Sequence, residues 1–260
     1  MGERTSYAPG TFSWVDLATT DVEAARSFYR TLFGWQTEDV PAGEGATYVM
    51  LRKNGQDVAA MYEMRDQQQA AGVPPHWLSY VTVADVDAAA ARAAELGGTV
   101  LAEPFDVLDA GRMAPIADPQ GAQLALWQPG RNIGAKLVNE PGALCWNDLF
   151  TPAPEEAGGF YGALFGWTIE RIEEAEPAYY TIRNGEASNG GVMQAPPDQP
   201  GAPFWNAYFA TEDTDAAVAA TEAAGGRVLM GPLDVPAGRI AVVMDPQGAA
   251  FSLFQGDLDP

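Results

Sequence analysis

A chain of 260 residues with 35 acidic and 14 basic side chains carries a formal charge of -21 and a pI near 4.1. Such a field repels nucleic acid and anionic membrane surfaces at long range, and Lys53 and Lys136 lie too far apart in sequence to form a basic patch. The single cysteine, Cys145, excludes an intramolecular disulfide and a thiolate metal cage and fits a reducing compartment, so a cytoplasmic location is expected.

In chain order, MGERTSYAPG has no apolar run of the signal-peptide kind, and no later segment reaches the roughly 18–20 uninterrupted apolar residues of a membrane span. Residues 12–18 alternate as a strand, which places Trp14 and Asp16 on one face. From Asp21, the apolar residues Ala25, Phe28, Tyr29, Leu32 and Phe33 make the stripe of an amphipathic helix, with Asp21 as its cap and Gly34 as its stop. Strand-like runs follow, turning at KNG. A further strand begins near Trp77, a second helix is capped by Asp85 and stopped by Gly97 and Gly98, and more strands close on the turn DPQG at 118–121.

The pattern then starts again. FYRTLFGW (28–35) returns as FYGALFGW (160–167), RKNGQ (52–56) as IRNGE (182–186), HWLSYVTVADVDAA (76–89) as FWNAYFATEDTDAA (204–217), and DPQGA (118–122) at 245–249. This is a tandem duplication, with the Pro- and Gly-containing loop QPGRNIGAKLVNEPGA (128–143) as linker. Two domains are expected, at 1–130 and 131–260. The order βαβββ, occurring four times, points to an α+β fold in which each domain curls a pair of modules into a cupped sheet with helices outside.

The opening strand, then D-x-x-x-A-x-x-FY-x-x-LFGW, then V-x-V-x-D-V-D leading a helix, and DP-x-G before the last strand, resemble the glyoxalase, bleomycin-resistance and extradiol-dioxygenase superfamily, also called vicinal oxygen chelate proteins. The tandem W-x-DL openings are similar to those of two-domain bacterial members labelled hydroxylases, some of which accompany antibiotic biosynthesis. The resemblance implies a divalent metal held inside the cup by His or Gln on the first strand, His on the strand opening the second module, and Glu on the last strand. Those places fall here on Trp14, Leu78 and Ala125, and in the second half on Trp146, Asn206 and Ser252. Trp, Leu and Ala offer no N, O or S donor of the required kind, and Asn206 and Ser252 are weak neutral oxygens. Neither a metal nor another cofactor is expected.

The faces shared with these positions collect aromatic and polar side chains. His76, Leu78 and Tyr80 alternate together, as do Phe204, Asn206 and Tyr208; Gln123, Ala125 and Trp127 share one face, and Ala250, Ser252 and Phe254 another. Trp14 and Trp146 either fill the cup or form a stacking wall for a planar ligand. Asp16 and Asp148, buried beside tryptophan, would have raised pKa values suited to a general base, or would serve as hydrogen-bond acceptors that hold the cup's edge. His76 could act as base or ligand contact, whereas Glu63, with Met193 as its counterpart, reads as a surface residue. Arg112 and Arg239, repeated in AGRMA and AGRIA, could pair with a substrate anion or with Asp16 and Asp148. Cys145, alternating with Trp146, should face away from the cup.

Two functions are expected from this reading. The first is metal-independent binding of a small, planar aromatic metabolite or antibiotic, with an accessory, sequestration or resistance role. The second is a metal-independent isomerase, lyase or hydroxylase-like enzyme using Asp16, Asp148 or His76 as acid or base. A small-molecule ligand is the expected partner, with no nucleic acid and no membrane. A monomer, with a possible partner enzyme in a biosynthetic pathway, fits a chain that already holds paired units.

Overall fold

The computed structural model describes residues 2–43, 46–173, 175–195 and 201–258. The first half runs β1 (Phe12–Thr19), α1 (Val22–Phe33), β2 (Gln36–Pro41), β3 (Thr47–Lys53), β4 (Gln56–Glu63), α2 (Asp66–Ala70), β5 (His76–Thr82), α3 (Val86–Glu95), β6 (Thr99–Val100), β7 (Phe105–Val107), β8 (Gly111–Ala117) and β9 (Gln123–Pro129). The second runs β10 (Leu144–Thr151), α4 (Pro154–Phe165), β11 (Thr168–Ile172), β12 (Tyr179–Asn184), β13 (Ala187–Gln194), β14 (Phe204–Ala210), α5 (Thr214–Ala223), β15 (Arg227–Val235), β16 (Gly238–Met244) and β17 (Ala250–Gly256). Each half is one sheet, ordered β2-β3-β4-β1-β5-β9-β8-β6 with β7 on β8, and β11-β12-β13-β10-β14-β17-β16-β15. The fold is α+β: two tandem sheets, each joining two modules through an antiparallel central pair, β1 with β5 and β10 with β14.

Local chemistry sets the helix ends. Asp21 accepts a hydrogen bond from the Ala24 N–H at 2.9 Å, and Gly34 closes α1 at φ 71°, a left-handed conformation that glycine adopts without Cβ strain. Gly166 does the same for α4 at φ 75°.

Alternation on β1 sends Val15 and Leu17 to one side and Trp14 to the other. The convex side is not private to each half. Phe28, Tyr29 and Phe33 of α1 pack with Phe209, Phe251 and Leu253 of the second sheet, while Phe160 and Tyr161 of α4 pack with Val81, Leu124 and Leu126 of the first. The two halves therefore share these cores, through their helices and directly between strands, where Ser79 Oγ of β5 donates to Asn147 Oδ1 of β10 at 2.7 Å; the Trp14 face of the first sheet lies on the other side. The aspartate of each DPQG turn belongs to that junction. Asp118 Oδ1 accepts from the Gln120 and Ala122 N–H groups while its Oδ2 accepts from Tyr161 Oη at 3.1 Å, and Asp245 repeats the arrangement with Tyr29 Oη at 3.0 Å.

The linker is more than a tether. The Ala135 N–H donates to the Ser13 carbonyl at 2.7 Å where β4 no longer flanks β1, Tyr7 Oη donates to the Ala135 carbonyl at 2.6 Å, and Ala135 and Val138 join the cluster around Trp14. Lys136 and Arg52 both reach the buried carboxylate of Asp57, at 2.7 Å each. Burial opposes ionisation of Asp57, but the two cations outweigh it and hold its pKa below the usual range.

Candidate functional site

The concave face of the first half is built on β1, β3, β4, β5, β8 and β9. Cross-strand register sets Trp14 beside Tyr80, Tyr80 beside Ala125, and Asp16 beside Leu78. Trp14, Tyr80, Ala125 and Trp127 pack together with Met50 and Ala60, and Leu78, Tyr48 and Met113 pack against them half-buried. Trp14 is only 4% exposed, so its ring fills the cup floor and offers no free stacking face.

At the centre lies Asp16. Its Oδ2 accepts from Tyr80 Oη at 2.7 Å and from Tyr48 Oη at 2.9 Å, while Tyr48 Oη accepts from Trp14 Nε1 at 3.1 Å. Its Oδ1 is buried and has no hydrogen-bond partner. Burial pushes this carboxyl up to about 6, against the opposing effects of the two tyrosine hydroxyls and the charge of His76. Burial, followed by the Asp16 charge, raises Tyr48 and Tyr80 well above the ordinary phenol range, so both remain protonated donors. His76 is half-buried, with Nδ1 2.9 Å from the Pro74 carbonyl oxygen.

The second half repeats the constellation with a different outcome. Asp148 Oδ1 accepts from Trp146 Nε1 and Tyr179 Oη, both at 2.9 Å, and Tyr208 lies beside Trp146 on the neighbouring strand. Burial again raises its pKa, opposed by the neighbouring Tyr208, Tyr179 and Trp146. Asn206 Nδ2 donates to Ser252 Oγ at 2.7 Å, so two of the expected polar contacts satisfy each other. Trp146 and Phe254 are half-buried, and Phe204, 48% exposed, stacks on Phe150 with centroids 5.1 Å apart and planes 5° off parallel.

The second half needs a glycine beside its carboxylate. Gly191 sits opposite Asp148 where Ala60 sits opposite Asp16. A Cβ on Gly191 would lie 2.1 Å from Tyr179 Oη and 2.4 Å from Asp148 Oδ1, so its absence lets the tyrosine close on the carboxylate.

Several expectations need correction. Arg112 bonds Asp87 and Asp106, and Arg239 bonds Asp215 and Asp234; each pins a helix start to a strand at the surface and neither approaches Asp16 or Asp148. Cys145 does not simply alternate away from Trp146. A register shift between Leu144 and Trp146 leaves it half-buried with Sγ 3.4 Å from the Tyr208 carbonyl oxygen, and burial together with the Asp148 charge pushes its thiol up. The counterpart of Glu63 is Gln194, because Thr19 pairs with Glu63 and Thr151 with Gln194; Glu63 is exposed, as expected. Tyr48 and Tyr179, which the sequence reading missed, are the donors that complete each aspartate site.

The donor set does not suit a divalent ion. Trp14, Leu78 and Ala125 bring no ligand atom, Asn206 and Ser252 offer only weak neutral oxygens, and among the described residues no group of three or more His, Cys, Asp or Glu is placed to hold a metal.

Comparison with known proteins decides the family. The model of the Glyoxalase/Bleomycin resistance protein/Dioxygenase superfamily matches residues 11–126, and that of the Glyoxalase-like domain matches 144–254. The chain belongs to the glyoxalase/bleomycin resistance/dioxygenase superfamily. Within it, the chain is 46% identical over 259 residues to the putative glyoxylase CFP32 of Mycobacterium tuberculosis, with 98% of each chain covered. It is 34% identical to the anthracycline biosynthesis protein DauV of Streptomyces sp. (strain C5), covering 96% of this chain and 95% of that one. Among superfamily structures, the Mn(II)-bound glyoxalase of Novosphingobium aromaticivorans shares the fold with a TM-score of 0.67 at 15% identity, covering 96% of this chain and 83% of that chain. The 2,3-dioxygenase LapB of Pseudomonas sp. KL28 does so at 0.65 and 16%, covering 97% and 95%. At such identities the likeness concerns the fold alone.

Proposed function

We propose that this superfamily member binds a small, planar aromatic metabolite in its cups without a metal. The observation that carries the reading is that each half puts tryptophan at its first metal-ligand position and surrounds it with two tyrosines and an aspartate, Trp14 with Tyr48, Tyr80 and Asp16, and Trp146 with Tyr179, Tyr208 and Asp148. Apolar and aromatic walls around a few fixed polar groups suit a flat ligand with one or two polar substituents. The half-buried side chains Tyr48, Leu78 and Met113 on one cup, and Trp146, Tyr179 and Phe254 on the other, are the surfaces such a ring would meet. The anthracycline biosynthesis relatives support an accessory role toward a polycyclic aromatic product. Calorimetric titration with a hydroxyanthraquinone in the presence of a chelator tests this. Saturable binding is expected; no saturable heat, or binding that requires an added divalent ion, would overturn it.

A second reading is favoured by one observation, the buried Asp16 carboxylate whose Oδ1 accepts no hydrogen bond, in a site where burial pushes the carboxyl up to about 6. In that reading Asp16 takes a proton from the bound molecule as general base. A new product mass after incubation with the wild type, absent with Asp16→Asn, would establish it.

A further inference from the structure

We propose that the first half carries a second binding site, a groove between α1 and the start of β2 that takes a small oxyanion, a carboxylate or phosphate group, on Arg30 and Arg26. The proposal is independent of the aromatic-binding reading, since the groove shares no residue with the Trp14 cluster.

Helical spacing sets Glu23, Arg26, Ser27 and Arg30 on one face of α1, at i, i+3, i+4 and i+7. The chain turns at Gly34 and comes back past this face as β2, the edge strand of the first sheet. Together the helix face and residues 34–37 line a cavity of about 520 Å³. Arg26 spans it: Nη1 donates to Thr37 Oγ1 at 3.1 Å, and Nη2 pairs with Asp39. Arg26 Nε lies 3.1 Å from Glu23 Oε1 without the alignment of a hydrogen bond, so this buried N–H is left unsatisfied. Arg30, one turn further along, makes no side-chain hydrogen bond or ion pair among the described residues. Its guanidinium therefore keeps all five donors in a planar fork that fits two oxygens of one anion.

The duplication supplies an internal control. In the second half Arg26, Ser27 and Arg30 are replaced by Gly158, Gly159 and Gly162, yet α4 has the same length and ends on Gly166 at φ 75° as α1 ends on Gly34 at φ 71°. A Cβ on Gly158 would stand 3.6 Å from Ile169, so the second half has an apolar contact where the first has Arg26 on Thr37. Neither the helix nor its turn needs the arginines. Other arginines of the chain, Arg52, Arg112 and Arg239, are matched to carboxylates of the fold, and Arg30 is not.

Charge narrows the class. The formal charge of -21 repels an extended polyanion, so the anion is small. Glu23 and Asp39 are the opposing charges beside Arg26; their side chains are 82% and 60% exposed against 19% for Arg26, so solvent screens them while the guanidinium is held on the groove.

The test titrates sodium phosphate and, separately, sodium malonate into the full chain at an ionic strength fixed with sodium chloride, following the amide resonances of Gly34, Gln36 and Thr37. Saturable shifts with at least one of the two are expected, and which anion saturates tells a phosphate group from a carboxylate. Arg30→Gln, which removes a side chain with no partner in the fold, should weaken the binding by about tenfold, the scale of one hydrogen bond between charged groups. Arg92→Gln, an exposed arginine on α3, should leave it unchanged. Shifts that fail to saturate with either anion, or that respond to Arg92→Gln as much as to Arg30→Gln, would overturn the proposal.

Discussion

Tyr29, in the helix of the first half, donates its hydroxyl to Asp245, in a turn of the second, at 3.0 Å, and the same oxygen accepts Trp77 Nε1 at 3.1 Å. The mirror relay runs from Trp205 Nε1 to Tyr161 Oη at 3.0 Å and on to Asp118. Removing either hydroxyl orphans a buried indole N–H and withdraws a donor from a carboxylate. Tyr29→Phe and Tyr161→Phe are each expected to lower unfolding free energy by about 1–3 kcal/mol, by similar amounts, in urea titrations. A loss confined to one of them would show that the relays are not equivalent.

Asp16 sets a pH dependence whose sign is unusual for a carboxylate. Its pKa is raised from 3.8 to about 6 in the folded chain, so the folded state holds the proton more tightly than the unfolded state. The contribution is most favourable below about pH 4 and is lost as pH rises through about 6. Asp16→Asn, uncharged and of similar shape, is therefore expected to be more stable than wild type above about pH 7, by up to about 3 kcal/mol, with the gap closing below about pH 4. Thermal midpoints across that range check it, and a gap that widens on acidification would contradict it.

Gly191→Ala should disturb the second cup alone. The added methyl meets Tyr179 Oη and Asp148 Oδ1 well inside contact distance. A destabilisation of about 1–3 kcal/mol is expected, together with a changed indole resonance for Trp146, whose Nε1 bonds both groups. The Trp14 resonance should stay in place.

Arg112→Ala separates surface pinning from ligand recognition. Its guanidinium engages Asp87 and Asp106, away from the cup. The variant should bind aromatic ligands as the wild type does, with at most a small change in unfolding midpoint; a loss of affinity would place the arginine in the site.

Much of the architecture was legible because period and punctuation agree. Asp21 and Gly34 bound a helix that forms between them, and the alternation of Trp14, Val15 and Asp16 correctly separates cup from core. Tyr48 and Tyr179 escaped because aligning Asn54 with Asn184 is off by one residue. The first turn uses Asn54 and Gly55 between β3 and β4, whereas the second uses Gly185 and Glu186 between β12 and β13, and the true match is Leu51 with Ile182, opposite Ala59 and Gly190. The same slip misassigned the partner of Glu63. The division of labour within the helical stripe was also hidden, since Phe28 and Phe33 are equally apolar whether they cover their own sheet or the other one. The bond between Tyr29 and Asp245 depends on how the halves dock, which no local pattern encodes.

The cup residues Trp14, Met50, Ala60, Tyr80, Ala125 and Trp127 form a cluster separate from the two cores that join the halves. Mutational tolerance should follow that partition. Changes on the concave faces alter what the protein holds while the interlocked helices keep it folded, so a duplicated chain of this kind can rewrite one pocket's chemistry and leave the other as it was.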